Sequence, residues 1–513
     1  MKKHMLIRGT LILTITGLVT RIIGFFYRIF LSHTIGAEGM GIYQLIFPIH
    51  SICFSLTVAG IQTAISRFVA AKVSTGDDRS AKDTLYVGLG LSTVLSFLAS
   101  YILFQYAPWL SVHMLGEPRC SVLLQITAIS IPFGSIHACI NGYYYGLQKT
   151  SVPAMTQLIE QVVRVASVYL LYLICLEKGF AVTASIAVIG LAVGELVSTL
   201  YSLTALGYHF HRNPVQSSRT ATPFSQLRNI FTLSLPLTAN RVLINLLQSA
   251  EAILIPGQLR LFGMDNTGAL SVYGVLTGMS MPLILFPSAI TNSVSVMLLP
   301  AVAEAQARND RRMIGKTIEN TIKYCLILGI MCTGVFLAFG DEMGLFIFNN
   351  EMAGSFIVTL AWICPFLYLT TTLFSIMNGL GKTTTTFLFN MFGLGIRIAF
   401  VFFCVPRYGI KGYLWGVLIS ELVLTFMGMF VLNREAAMDF PLHDWVVKPV
   451  ISILIAIGGG LLSYSVLKKL SIPLDLIVMG ISAGIICVLY VILLLAFGAL
   501  HLRKPYSGVK EGR

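Results

Sequence analysis

The chain has 513 residues, 56% of them hydrophobic and only 11% charged, with a mean hydropathy of +0.81. Soluble domains carry about a quarter charged residues, so this chain cannot present a water-facing polar surface and is excluded from that class. The net charge of +13 does not indicate nucleic acid. No basic soluble domain exists to hold it, and membrane proteins collect Lys and Arg on cytoplasmic loops.

Apolar runs of roughly 18 residues or more recur along the chain, each long enough to cross about 30 Å of hydrocarbon as a helix. Alternating ten-residue strand patterns are absent, which argues against a β-barrel. Met1-Lys2-Lys3 ahead of an apolar stretch looks like a signal peptide. The stretch is long, carries Arg21 and Arg28, and lacks a small-x-small cleavage site, so we read it as an uncleaved first helix. About fourteen spans are expected: 9–32, 41–70, 84–107, 121–146, 155–176, 182–206, 230–257, 269–298, 317–339, 351–378, 385–405, 412–435, 448–467 and 475–499. The fold class is therefore all-α and polytopic.

Prolines 48, 132, 236, 282 and 287 fall inside these spans, which is tolerated where a helix lines a cavity. With the N-terminus inside, basic residues favour the inner segments by about three to one. Both termini are then cytoplasmic. The longest loop, 207–229, is polar. Its His209 and His211 fit a solvated linker better than a metal site. The nine cysteines show no CxxC or metal spacing and read as small apolar helix residues.

An internal repeat organises the chain. Gly146-Leu147-Gln148-Lys149-Thr150 matches Gly379-Leu380-Gly381-Lys382-Thr383, and fifteen residues after each lysine stands an arginine, Arg164 and Arg397. Glu195-Leu196-Val197 matches Glu421-Leu422-Val423. Thr20-Arg21-Ile22 matches Asn240-Arg241-Val242, followed after one helix by Tyr43 and Tyr273. Spans one to six thus repeat as seven to twelve in the same orientation, a parallel repeat that places a substrate cavity between the halves. The expected organisation is 1–229, 230–436, and 437–513 with two extra spans and a cytoplasmic tail. Gly379 to Thr383 imitates the end of a phosphate-binding P-loop, but the earlier glycine that motif needs is Ile376 here. No nucleotide site, cofactor or metal is expected, and transport must run on a gradient or a partner.

Charged residues inside spans are costly and are functional candidates by default. Arg164 follows Glu160 by four residues on one helical face, which makes a structural pair the simpler reading. Arg21 and Arg28 are two helical turns apart on one face, with no acidic residue within four positions, and Arg241 is the repeat partner of Arg21. Two readings follow. Either Arg21, Arg28 and Arg241 form a cationic cavity for a phosphate group, or they pair in three dimensions with Glu195, Glu251 or Glu421. Glu160, Arg164, Glu195, Glu251, Arg397 and Glu421 are the candidate structural or coupling charges.

The segment Arg21-Ile22-Ile23-Gly24-Phe25-Phe26-Tyr27-Arg28, then Gly36-Ala37-Glu38-Gly39-Met40-Gly41-Ile42-Tyr43-Gln44-Leu45, resembles the stage V sporulation protein B family. So do Glu160-Gln161-Val162-Val163-Arg164 and the stretch from Asn141-Gly142 to Lys149-Thr150. The resemblance covers nearly the whole chain. It implies membership of the multidrug/oligosaccharidyl-lipid/polysaccharide exporter superfamily, with MurJ-type lipid II flippases and MATE drug exporters. The function implied is a flippase, not an enzyme. It would sit in the bacterial plasma membrane and move an anionic undecaprenyl-diphosphate-linked glycan outward, for peptidoglycan or a related polymer. MurJ-type proteins use arginines of the first and the seventh or eighth spans, a role that carries over to Arg21, Arg28 and Arg241. Where those proteins have Arg-Asp in the first span, this chain has Tyr27-Arg28. The runner-up is a cation-coupled MATE-type exporter, which would favour an acidic cavity. The sequence names no coupling ion.

Overall fold

The structure is a computed structural model that describes residues 2–213, 223–308, 310–435, 440–469 and 475–500. Residues 214–222 of the expected 207–229 loop and the expected tail from residue 501 lie outside the described residues. Among those described, every regular element is a helix and none is a strand. That outcome follows from the composition: in hydrocarbon, backbone N–H and C=O groups must find partners within the segment.

Fifteen segments are long and apolar enough to cross a membrane. In chain order they are α1 Leu11–Gln44, α2 Ile46–Ser74, α3 Asp78–Met114, α4 Cys120–Gly146, α5 Ser151–Lys178, α6 Ser185–Arg212, α7 Ser225–Leu261, α8 Asn266–Leu285, α9 Ser288–Ala307, α10 Arg311–Phe348, α11 Glu351–Gly379, α12 Thr383–Phe403, α13 Ile410–Glu435, α14 His443–Lys469 and α15 Asp475–Ala496. Asp77, Asp265, Asp310 and Asn350 cap the helices that follow them by accepting from the backbone N–H three residues on.

The count exceeds fourteen for one physical reason. The expected span 269–298 is broken at Phe286 and Pro287 into α8 and α9. Proline has no N–H to continue the ladder. The turn is tightened by bonds from Phe286 N to Leu283 O, Ala289 N to Phe286 O and Ile290 N to Pro287 O. The first boundary also lies in the backbone. Helix α1 runs through Gly36, whose φ of 70° is left-handed, so the chain bends there and 37–44 leads into α2.

An offset of 230 residues carries Tyr43 onto Tyr273. It also carries the interruption at Leu45 onto Val275, where the π-helical segment Val275–Ser280 begins. The same offset carries the π-helical Ser55–Ala59 onto the turn at Phe286 and Pro287. The two copies of this span therefore leave α geometry at the same two places.

The contacts divide the chain into two units. The first comprises Met1–Pro282 with Leu394–Gly416. Its core gathers Val58, Ile61, Ile65 and Val69 of α2 with Leu85 of α3 and Cys139, Tyr143 and Tyr144 of α4. Within it α1 packs on α8 and α2 on α7 so closely that side chains are excluded. A Cβ on Gly41 would stand 2.1 Å from Leu270 O, one on Gly274 2.1 Å from Ala37 O, and one on Gly60 2.1 Å from Thr238 Oγ1. Small residues at such crossings are how membrane helices approach when no water drives them together.

The second unit comprises Leu283–Gly393 with Val417–Arg513. Its core gathers Ile314, Ile318 and Ile322 of α10, Leu369, Leu373 and Met377 of α11, Leu432 of α13 and Trp445 of α14. Large apolar side chains remain on the surface, among them Val94, Phe97 and Tyr101 along one face of α3. An apolar face of this length suits lipid and would be unfavourable in water. All nine cysteines are unbonded.

Candidate functional site

The repeated Gly-Leu-x-Lys-Thr sequence is a helix terminus in both copies. Lys149 N bonds to Tyr144 O and Gln148 N to Tyr145 O; Lys382 N bonds to Met377 O and Gly381 N to Asn378 O. This is the paired-bond helix ending in which the residue after the cap is left-handed. Gln148 (φ 58°) and Gly381 (φ 77°) occupy that position. The loop is thus consumed by capping its own helix. Behind it, Gly146 faces Ser66 O and Val69, while Gly379 faces Leu299 O and Val302, each partner displaced by 233 residues.

The three arginines assigned to a cavity sit differently. Arg21 on α1 and Arg241 on α7 are exposed, and neither has a hydrogen-bond or ion-pair partner among the described residues. Arg28, two helical turns beyond Arg21 on the same face, is half-buried. Its Nη1 donates to the backbone oxygen of Thr277, 3.4 Å away, in the π-helical part of α8. No described ion pair links any of the three to Glu195, Glu251 or Glu421, because those carboxylates are placed elsewhere.

Glu195 of α6 lies against His137 of α4, with 2.7 Å between Oε2 and Nε2. Glu160 pairs with Arg164 along α5, and Arg164 Nη1 also donates to Gln161 Oε1 at 3.4 Å. Donor atoms of His137, Glu160 and Glu195 all lie within 4.8 Å of one another. Glycines make this possible. A Cβ on Gly194 would stand 2.9 Å from Glu160 O, one on Gly190 2.2 Å from Val168 Cγ2, and one on Gly134 3.1 Å from Glu195 Oε2. These three positions let α6 sit directly on α5 and leave α4 open to the Glu195 carboxylate.

The second copy is wired differently. Arg397 of α12 reaches Glu251 of α7 with Nε 3.4 Å from Oε1, and the Tyr413 hydroxyl of α13 donates to the same oxygen at 2.9 Å. Glu421 is buried on α13 in the second unit.

A third cluster lies at the loop ends. Arg119 spans Glu38 (2.6 Å) and Glu117 (2.7 Å). Asn266 Nδ2 donates to Glu117 Oε2 at 2.7 Å, and Arg260 Nη1 donates to Gly116 O at 3.1 Å and Asn266 Oδ1 at 3.2 Å. Burial alone would raise the Glu117 carboxyl. Hydrogen bonds from the Arg119 side chain and backbone N–H and from Asn266 outweigh it and hold the carboxyl below its ordinary value. Hydrogen bonds to Glu117 and Glu38 hold the Arg119 guanidinium above its own.

Sequence reasoning missed His137, Tyr413 and this outer cluster. His137 carried a usable signal, since any ionisable residue inside a span is a candidate. The outer residues carried none, being ordinary loop charges until the helices bring them together. His209 and His211, expected in a linker, belong to the last turn of α6. The His209 ring meets Tyr143 and Tyr144 edge-on or tilted, at centroid distances of 6.1 and 5.8 Å.

A helical membrane bundle in which matching sequence stretches take matching helix ends, with ionisable groups inside, is an arrangement found among membrane carriers. Comparison with known proteins agrees in fold. The chain covers 95% of itself and 98% of a solved structure of lipid II flippase MurJ in an inward closed conformation, with a TM-score of 0.72 at 14% identity. It covers 84% of itself and 96% of the Vibrio cholerae MATE transporter VcmN, with a TM-score of 0.61 at 12% identity. Residues 6–306 match the polysaccharide biosynthesis protein family, and the chain belongs to that family. Stage V sporulation protein B of Bacillus subtilis is 28% identical over 459 residues, 87% of each chain.

Proposed function

We propose that the protein is a flippase that carries an undecaprenyl-diphosphate-linked oligosaccharide across the bacterial plasma membrane by alternating access. The cargo is a lipid II-like peptidoglycan precursor or another cell-envelope glycan. The observation that carries this reading is the set Arg21, Arg28 and Arg241, which stand on α1 and α7, the two repeat-related helices, with no carboxylate partner among the described residues. A guanidinium presents a planar fork that matches two phosphate oxygens, and a diphosphate offers several. The name of one relative, the lipid II flippase MurJ of Bacillus subtilis, supports the same class of cargo.

In this reading the repeat halves 1–229 and 230–436 are the moving lobes, 437–513 is an addition to them, and both termini are cytoplasmic. The test is native mass spectrometry of the purified full-length protein. A co-purified isoprenoid-diphosphate glycan, lost in an Arg28→Ala variant, is the expected result. Purification free of such a lipid, together with ion-dependent drug efflux on expression, would replace this reading with the cation-coupled exporter that the MATE-like fold also supports.

A further inference from the structure

The cluster of His137, Glu160 and Glu195 is outside the arginine site, and its charge is not balanced. Two carboxylates and one guanidinium, Arg164, leave one negative charge when His137 is neutral. The side chains are buried or nearly so: His137 is 9% exposed and Glu195 8%. An uncompensated charge in such a place is costly, and uptake of a single cation removes the cost. A divalent metal would overshoot to a net positive charge, and Arg164 already occupies Glu160. A proton balances the cluster with no rearrangement.

The acceptor atom can be named. An ionised carboxylate only accepts, so against Glu195 the His137 Nε2 carries the hydrogen. The lone pair is then on Nδ1, which is buried and has no hydrogen-bond partner. Asn141, four residues on along the same face of α4, likewise has its Oδ1 buried and unpartnered. From the neighbouring elements, His50 of α2 faces Glu195 and Arg164, while Tyr27, Arg28 and Tyr43 of α1 face Arg164.

We propose that His137, clasped by Glu195 and Glu160, is a proton-binding site through which the carrier is coupled to the proton gradient. The proton comes from a hydronium ion of bulk water: its O–H bond breaks, an N–H bond forms at the Nδ1 lone pair, and a water molecule is left behind. The resulting imidazolium faces two carboxylates, which draws α4, α5 and α6 together. The deprotonated cluster holds excess negative charge, which loosens the same contact. The two states thus differ in how the first half packs behind Arg28, whose helix lies against α5. The proposal deepens the carrier reading but rests on no particular cargo.

The test is proton uptake by purified full-length protein without cargo, read by infrared difference spectroscopy between about pH 5 and pH 8, the range in which a histidine changes charge. The expected result is imidazole and carboxylate bands in the wild type that vanish in His137→Gln and in Glu195→Gln. Bands unchanged in either variant overturn the proposal. Glu195→Gln keeps the carboxylate's shape, so it answers the question if His137→Gln fails to fold. In proteoliposomes, a pH gradient at zero potential should drive conformational exchange in the wild type and not in the variants. Equal exchange in all three would also overturn it. Absence of a glycolipid cargo would overturn the proposed function and leave this result standing.

Discussion

Arg164 and Arg397 occupy the same position in the two copies of the repeat, yet they take their carboxylates from different helices. Arg164 is served by Glu160 four residues earlier on its own helix; Arg397 is served by Glu251 of α7. The residue equivalent to Glu160 in the second copy, 233 positions on, is Gly393. With no carboxylate at that local position, Arg397 meets Glu251 across helices. The first copy can therefore adjust α5 without breaking its pair, while the second ties α12 and α13 to α7.

That asymmetry gives a stability prediction. Glu251→Gln removes the carboxylate charge that Arg397 Nε faces at 3.4 Å and weakens the bond from Tyr413, in a pair that is mostly buried. Removing one partner of such a pair costs about 3–5 kcal/mol. Thermal unfolding of detergent-solubilised protein should fall well below wild type. A melting curve unchanged by Glu251→Gln would show that the pair contributes little.

The two exposed arginines should behave oppositely. Arg21 and Arg241 are exposed and unpaired among the described residues, so alanine at either should leave abundance and melting within about 0.5 kcal/mol of wild type. Flipping should nevertheless be strongly impaired, partly restored by lysine, which lacks the planar fork, and abolished by glutamate. Full activity of an Arg21→Ala, Arg241→Ala double variant, in cells lacking redundant flippases, would remove these residues from the site.

Acid should loosen the outer cluster. The Glu117 carboxyl is held below its ordinary value in the folded protein, so the proton binds more tightly to the unfolded chain. The associated stabilisation is complete above the unfolded value of about 4.3 and disappears as pH falls through the lower folded value. Hydrogen exchange at Gly116 and Asn266 should rise in acid for the wild type. In Glu117→Gln it should be raised already near neutrality and insensitive to pH. Equal acid sensitivity in both proteins would place the titrating group elsewhere.

The matched helix ends offer a test in backbone terms. Gln148 is held at φ 58°, where a side chain is strained, whereas its counterpart Gly381 is not. Gln148→Gly should raise stability by up to about 1 kcal/mol, and Gly381→Ala should lower it by about the same amount. Differential scanning on the two variants decides this. Opposite signs are the expected outcome, and two losses would mean that the Gln148 side chain contributes more than its strain removes.

The sequence made the helices and the repeat readable because both depend on local patterning: long apolar runs, and the reuse of Gly-Leu-x-Lys-Thr. It also placed Arg164 beside Glu160, a pair fixed by helical spacing alone. What it hid was every relation between helices. Nothing local brings His137 to Glu195, 58 residues away, or Tyr413 to Glu251, 162 residues away. The break at Phe286 and Pro287 was hidden for another reason, since hydropathy is continuous across it and only the missing N–H of proline interrupts the helix.

Under the proposed function, the contact between Arg28 and the Thr277 carbonyl sets the terms on which a phosphate-bearing cargo is met. A guanidinium already clasped by a carboxylate would have to be pried loose, at several kcal/mol, before any phosphate gained from it. A long bond to a neutral backbone oxygen, 3.4 Å, is given up for about 1 kcal/mol or less. Arg28 is therefore parked: oriented by a tether too weak to compete, and available to whichever anion arrives. Because the tether belongs to α8 and the arginine to α1, an anion that takes the arginine frees its side chain from the other repeat copy, while the close backbone packing of α1 on α8 at Gly41 and Gly274 is untouched.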